Sequence, residues 1–177
     1  MLSRALLAVC LFNLVVSLSQ NVVVRQKYAN CPKDWFRFQD SCYYFERKRM
    51  HFDKAEVSCL ERGSTMFVAD SPREWMEVLS RSPLHFWSWI GLRRDEDEPE
   101  PSWKEQGGMP MDQINWLNRA RTPERNGWNS VARCVAHFSS PTIRYAYFYY
   151  CGMKYYSICE RNGTLLSQIW DDSWERF

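Results

Sequence analysis

Six cysteines, Cys31, Cys42, Cys59, Cys134, Cys151 and Cys159, are spaced along this 177-residue chain after one earlier cysteine, Cys10. An even set of this kind marks a disulfide framework built in an oxidising compartment. The count leaves the pairing open, because six cysteines allow many connectivities. A zinc site fits the pattern poorly. The chain has no C-x-x-C pair, and His51, His85 and His137 show no ligand spacing.

The first residues agree with that compartment. "MLSRALLAVCLFNLVVSLS" has one positive charge, Arg4, before an apolar run that closes on Ser17 and Ser19. The pattern predicts a secretory signal peptide over residues 1–19, cleaved after Ser19, which removes Cys10. The run falls short of the roughly 20 apolar residues of a spanning helix, and Asn13 interrupts it. No membrane span is expected after cleavage. Removing 19 of 177 residues leaves 158, enough for one domain with a core. Lysine plus arginine number 23 against 21 acidic residues, which disfavours general nucleic-acid binding.

Periodicity places the elements. "KDWFRFQDSCYYFE" reads as a hairpin. "FDKAEVSCLERG" reads as a helix with Ala55, Cys59 and Leu60 on one face, stopping at Gly63. "TMFVAD" is a short strand. "SPREWMEVLSR" is a helix with Ser71 as N-cap, Pro72 in its first turn, and Trp75, Val78 and Leu79 inward. "FWSWIGL" is a buried strand. Residues 93–134 read mostly as loop. "CVAHFSS" and "YAYFYYC" read as paired strands, and "KYYSICE" as the last one. Two helices with short antiparallel strands and a long loop predict an α+β domain.

The ordered set resembles the C-type lectin-like domain family in its long form. The motifs are "CPKDWFRFQDSCYYF", "AEVSC", "FWSWIGL", Asn115-Trp116, Cys134, and Cys151 to Cys159-Glu160. The departures resemble a divergent secreted member, similar to the lectin-like proteins numerous in nematodes. The resemblance implies a C-type lectin-like fold with three disulfides, Cys31–Cys42, Cys59–Cys159 and Cys134–Cys151. It implies an N-terminal extension over 20–30, the lectin-like domain over 31–160 and a C-terminal tail over 161–177.

Sugar-binding members of the family hold calcium in the long loop, and the ion needs about 6–8 oxygens. The corresponding positions here are Thr122, Glu124, Ala132, Tyr147 and Phe148. Of these only Glu124 offers a carboxylate, and Arg133 adds positive charge. No metal and no cofactor are expected. "DEDEPEP", Asp95–Pro101, contains a similar-looking Glu-Pro-Glu, but it precedes Trp103 and reads as a solvated acidic tip.

"YAYFYYC" has five aromatics in the six residues before Cys151. Alternation puts Tyr145, Tyr147 and Tyr149 on one face and Ala146, Phe148 and Tyr150 on the other. With Ala146 and Phe148 inward, the tyrosines form a candidate contact surface with Trp128 and Arg125, and the loop arginines Arg119, Arg121 and Arg133 are expected nearby. The bland alternative is that they only close the fold. No catalytic motif appears, and His137 reads as a strand residue. Leu166, Ile169, Trp170, Trp174 and Phe177 make an apolar stripe in the tail.

These features predict a secreted, disulfide-bonded binding module rather than an enzyme. The expected partner is an extracellular glycan, on self or microbial surfaces, recognised without calcium. The alternative is a protein ligand. Asn162-Gly163-Thr164 is an N-glycosylation acceptor. Protein secreted from eukaryotic cells should carry a glycan at Asn162, so Asn162→Gln should lower its mass by one glycan. An unchanged mass contradicts occupancy.

Overall fold

The computed structural model describes residues 31–163. The signal-peptide, N-terminal-extension and apolar-tail expectations fall outside them, apart from the tail's first residues. Contacts divide the chain into Met1–Pro32 and Lys33–Phe177.

The hairpin forms from β1, Phe36–Phe38, and β2, Ser41–Phe45. Helix α1 spans Phe52–Glu61 and buries Phe52, Ala55 and Cys59. Leu60, expected on that face, is exposed instead. The helix starts at Phe52, so its inward face runs through 52, 55 and 59, and Leu60 lies about 100° round from Cys59. Strand β3, Thr65–Met66, leads to helix α2, Pro72–Ser80. Ser71 caps α2 by accepting the Glu74 N–H at 3.2 Å. Trp75, Val78 and Leu79 face inward.

Strand β4, Phe86–Arg93, carries the WIGL stretch. A Cβ on Gly91 would meet the Phe67 carbonyl oxygen at 2.9 Å, so only glycine lets β4 approach this closely. After the short β5, Ser102–Trp103, the long loop runs to β6, Cys134–Ser139, with 3-10 turns at Met111–Gln113 and Glu124–Asn126. Strands β7, Arg144–Tyr149, and β8, Tyr156–Asn162, complete the sheet.

The sheet order is β1-β2-β8-β4-β6-β7, with β3 on β8 and β5 on β4. The expectation of antiparallel strands holds except for β4 and β8, which are parallel. The last strand enters the middle of the sheet, between β2 and β4. It therefore lies antiparallel to one neighbour and parallel to the other.

Two apolar clusters flank the sheet. The larger packs Trp75, Val78 and Leu79 against Ile90, Leu92, Val135, Phe148 and Ile158. The smaller holds Phe52, Ala55 and Cys59 against Trp89, Ala136 and Cys159. The Cys59–Cys159 disulfide ties α1 to β8, and Cys134–Cys151 joins the start of β6 to the segment after β7. Cys31 and Cys42 are also disulfide-bonded. Such bridges stabilise by about 2–4 kcal/mol each.

Beside the Cys59 bridge lies a buried carboxyl pair. Glu160 is 2% exposed; it accepts the Ser41 hydroxyl at 2.9 Å and the Val68 N–H at 3.1 Å. Glu74, also buried, accepts the Tyr43 hydroxyl and the Asp70 N–H. Burial, with the Glu74 and Asp70 charges nearby, pushes the Glu160 carboxyl up to about 8. Burial likewise raises Glu74. In the unfolded chain Glu160 releases its proton near its ordinary value of about 4.3. Between that value and about 8 the folded state holds the extra proton, so stability falls as pH rises through this window. Melting temperature should be higher near pH 5 than near pH 8, and Glu160→Gln should flatten the slope. An equal slope in the variant would show that Glu160 is not its source.

Candidate functional site

The long loop and the outer strands β6 and β7 build the region where the calcium positions were expected. The loop is tied to the sheet edge by its own backbone. The Leu117 N–H donates to Ala146 O at 3.1 Å, and the Ala146 N–H donates to Asn115 O at 2.8 Å. Trp116 stacks on Phe148 with ring centroids 5.5 Å apart. Asn126, fully buried, fastens the next segment. Its Oδ1 accepts the Asn118 N–H at 2.8 Å, and its Nδ2 donates to Thr122 O at 3.0 Å. Gly127 follows at φ 91°, and a Cβ there would overlap the Tyr147 ring at 2.2 Å. The turn therefore closes on Tyr147 only with glycine in place.

Each expected calcium position has another occupation. Thr122 contributes a backbone carbonyl to Asn126. Ala132 carries no oxygen on its side chain. The Tyr147 ring lies on Gly127, and Phe148 is buried in the core. Glu124 accepts from Arg94 Nη1 at 2.7 Å. The guanidinium holds the Glu124 carboxyl below the ordinary range. Arg94 also lies 3.9 Å from the centre of the Trp128 ring, whose indole N–H donates to Arg94 O at 3.3 Å. A calcium ion needs about 6–8 hard oxygens, and these five side chains do not fit one. Among the described residues, no group of three or more His, Cys, Asp or Glu is arranged to hold a metal ion.

Arg94 escaped the sequence reading. It stands 30 residues from Glu124 in the chain, and no local pattern marks the pair. The acidic tip is partly tied down as well: Asp95 pairs with Arg93 at 2.7 Å, and Ser102 Oγ donates to Glu98 at 3.0 Å.

Tyr145, Tyr147 and Tyr149 share one half-buried face, opposite the fully buried Ala146 and Phe148. The tyrosines join a wider aromatic row. Tyr149 lies 5.4 Å from both Tyr147 and Tyr155, and accepts the Trp87 indole N–H at 2.7 Å. Tyr145 packs on Phe138 at 5.4 Å. Trp128 is not brought to this row. It packs against the larger core cluster and under Arg94. Arg125 is exposed on the 3-10 turn. His137, expected as a strand residue, lies on β6, edge-on to Trp75, and burial lowers it to about 3. It is a neutral core group.

The Arg94 contacts yield a stability test. Arg94→Ala loses both the Glu124 ion pair and the Trp128 stack, whereas Glu124→Gln loses only the exposed ion pair. The first change should lower the melting temperature by roughly 2–6 °C, the second by less. Equal small shifts would show that Arg94 does not hold the loop.

The comparisons bear on the family and the fold. A family model described as "Lectin C-type domain" matches residues 48–161. C-type lectin domain-containing protein 88 of Caenorhabditis elegans is 43% identical over 148 residues, 79% of this chain and 65% of that protein. The chain thus spans about two thirds of that relative's length. Among solved structures, the C-type lectin domain of murine dendritic cell inhibitory receptor 2, in complex with N-glycan, aligns with a TM-score of 0.65 at 22% identity. That match covers 75% of this chain and 99% of the other. The cow carbohydrate-recognition domain of CD23, in the presence of an oligosaccharide, aligns at 0.62 with 28% identity over 75% and 96% of the two chains. A model matching most of the chain, a nematode relative at this identity and the lectin fold lead to one conclusion: the chain belongs to the C-type lectin domain family, in a form similar to its nematode members.

Proposed function

We propose that this chain is a secreted glycan-recognition module whose long loop works without calcium. The observation that carries the reading is the Arg94–Glu124 contact, at 2.7 Å. The one carboxylate left of the expected set is already neutralised by a cation that belongs to the chain. The loop is then held by a covalently tethered charge, the Asn126 hydrogen bonds and the Trp116–Phe148 stack. Two solved neighbours, one in complex with N-glycan and one in the presence of an oligosaccharide, support glycans as the ligand class. In this reading the signal peptide ends at Ser19, the lectin-like domain covers 31–160, the tail covers 161–177, and the binding role needs no catalysis.

A second reading is favoured by the aromatic row. Tyr145, Tyr147 and Tyr149, half-buried beside Trp87 and Tyr155, offer flat apolar area with hydroxyl handles, which also suits a protein partner.

A glycan array with and without chelator separates the two. The proposal expects glycan signals that chelator leaves unchanged. No glycan signal in either condition moves the assignment to a protein ligand, and signals lost in chelator contradict the calcium-free loop. If the tyrosines make the contact, Tyr147→Ala or Tyr149→Ala should weaken binding more than Glu124→Gln does. Unchanged binding in both would return the row to a packing role.

A further inference from the structure

The long loop carries more positive charge than its own contacts use. Arg119, Arg121 and Arg125 are all exposed, and among the described residues none forms an ion pair. The nearby carboxylates do not neutralise them. Glu124 is bonded to Arg94. Asp112 is exposed, and its contact with Arg121 is through the backbone carbonyl, which accepts from Arg121 Nη1.

Arg119 and Arg121 line one surface depression of about 580 Å³, together with Gln113, Asn115, Ile114 and Trp116. Ile114 and Trp116 are core residues, so its floor is rigid. Gln113 and Asn115 line it as well, the Asn115 Nδ2 already donating to Arg144 O. The volume falls in the range of small-ligand sites, roughly 300–1,000 Å³. Arg121 also sits at φ 56°, a left-handed conformation unusual for a residue with a side chain. Its N–H donates to Asn118 O at 3.1 Å. The same Asn118 is held by the buried Asn126. The backbone at Arg121 is therefore held in place, and a guanidinium suits paired hydrogen bonds to a sulfate or carboxylate.

We infer that the depression lined by Arg119 and Arg121 is a binding site for the sulfate or carboxylate groups of an acidic glycan. This rests on the glycan reading above and specifies its ligand class. Guanidinium groups supply the attraction that calcium supplies to neutral sugar hydroxyls in other members. The Gln113 amide serves the uncharged hydroxyls between the acidic groups.

The test uses the secreted full chain and immobilised chondroitin sulfate, with its desulfated, carboxyl-reduced form as the neutral probe. The loop variant is Arg119→Gln with Arg121→Asn, since asparagine tolerates the left-handed conformation. Arg119→Gln alone is the milder second variant. The control removes the same charge from the exposed β2–α1 turn, as Lys48→Gln with Arg49→Gln. The proposal expects binding to the acidic probe, none to the neutral one, and weakening as salt rises. It expects a loss of about tenfold or more in the loop double variant, a smaller loss in Arg119→Gln, and little change in the control. Equal losses in loop and control variants, or equal binding of both probes, overturn it. Chelator-insensitive binding of neutral glycans that the arginine variants leave intact removes this inference alone. Failure to bind any glycan of either charge removes the glycan reading with it.

Discussion

The bond between Cys59 and Cys159 fixes the least local part of the fold. β8 is the last strand in the sheet, yet it lies between β2 and β4. Its insertion makes contacts separated by most of the domain, and the bridge spans 100 residues. Loops of that length carry a large closure entropy in the unfolded chain, which the cross-link removes. Around the bridge, α1 packs on one side of the sheet and α2 on the other. Glu160, next to Cys159, hydrogen-bonds across to Ser41 and Val68. A buried carboxyl at that junction joins three segments, at the cost of keeping its proton.

With β4, β6 and β7 fixed in that frame, the long loop starts and ends on rigid strands. Its own fastening is polar at Asn126 and aromatic at Trp116. The charge of Arg94 then sits between Glu124 and Trp128. A tethered guanidinium differs from a bound ion in one respect. It holds the loop without offering open coordination positions, so it does not bind a sugar hydroxyl as calcium does. What the loop and sheet expose besides is the set Arg119, Arg121 and Arg125 and the half-buried tyrosine face.

Much of the frame was legible because local rules and tertiary structure agree. Ser71 and Pro72 start α2 where the capping pattern places it, and Ala146 and Phe148 turn inward as alternation requires. Leu60 misled because the face of a short helix depends on its first residue, and Phe52 sets it. The candidate site was less legible. That Ala132, Tyr147 and Phe148 carry no carboxylate is plain in the sequence. The Arg94–Glu124 contact is not, since the two meet only when the strand end and the loop are folded together. Trp128 was grouped with the tyrosines for its type. The left-handed turn at Gly127 separates it from Glu124 and leaves its ring against the core, beneath Arg94.

If the chain's own cation, Arg94, has taken over the loop's carboxylate, calcium should leave the folded state no more stable. Thermal melting of the secreted protein in millimolar calcium and in chelator tests it directly. An ion that bound only the folded state would stabilise it by about 2.7 kcal/mol at a hundredfold excess over Kd, which is a shift of several degrees. The account predicts coincident melting curves. A higher melting temperature in calcium, abolished by chelator, would contradict it.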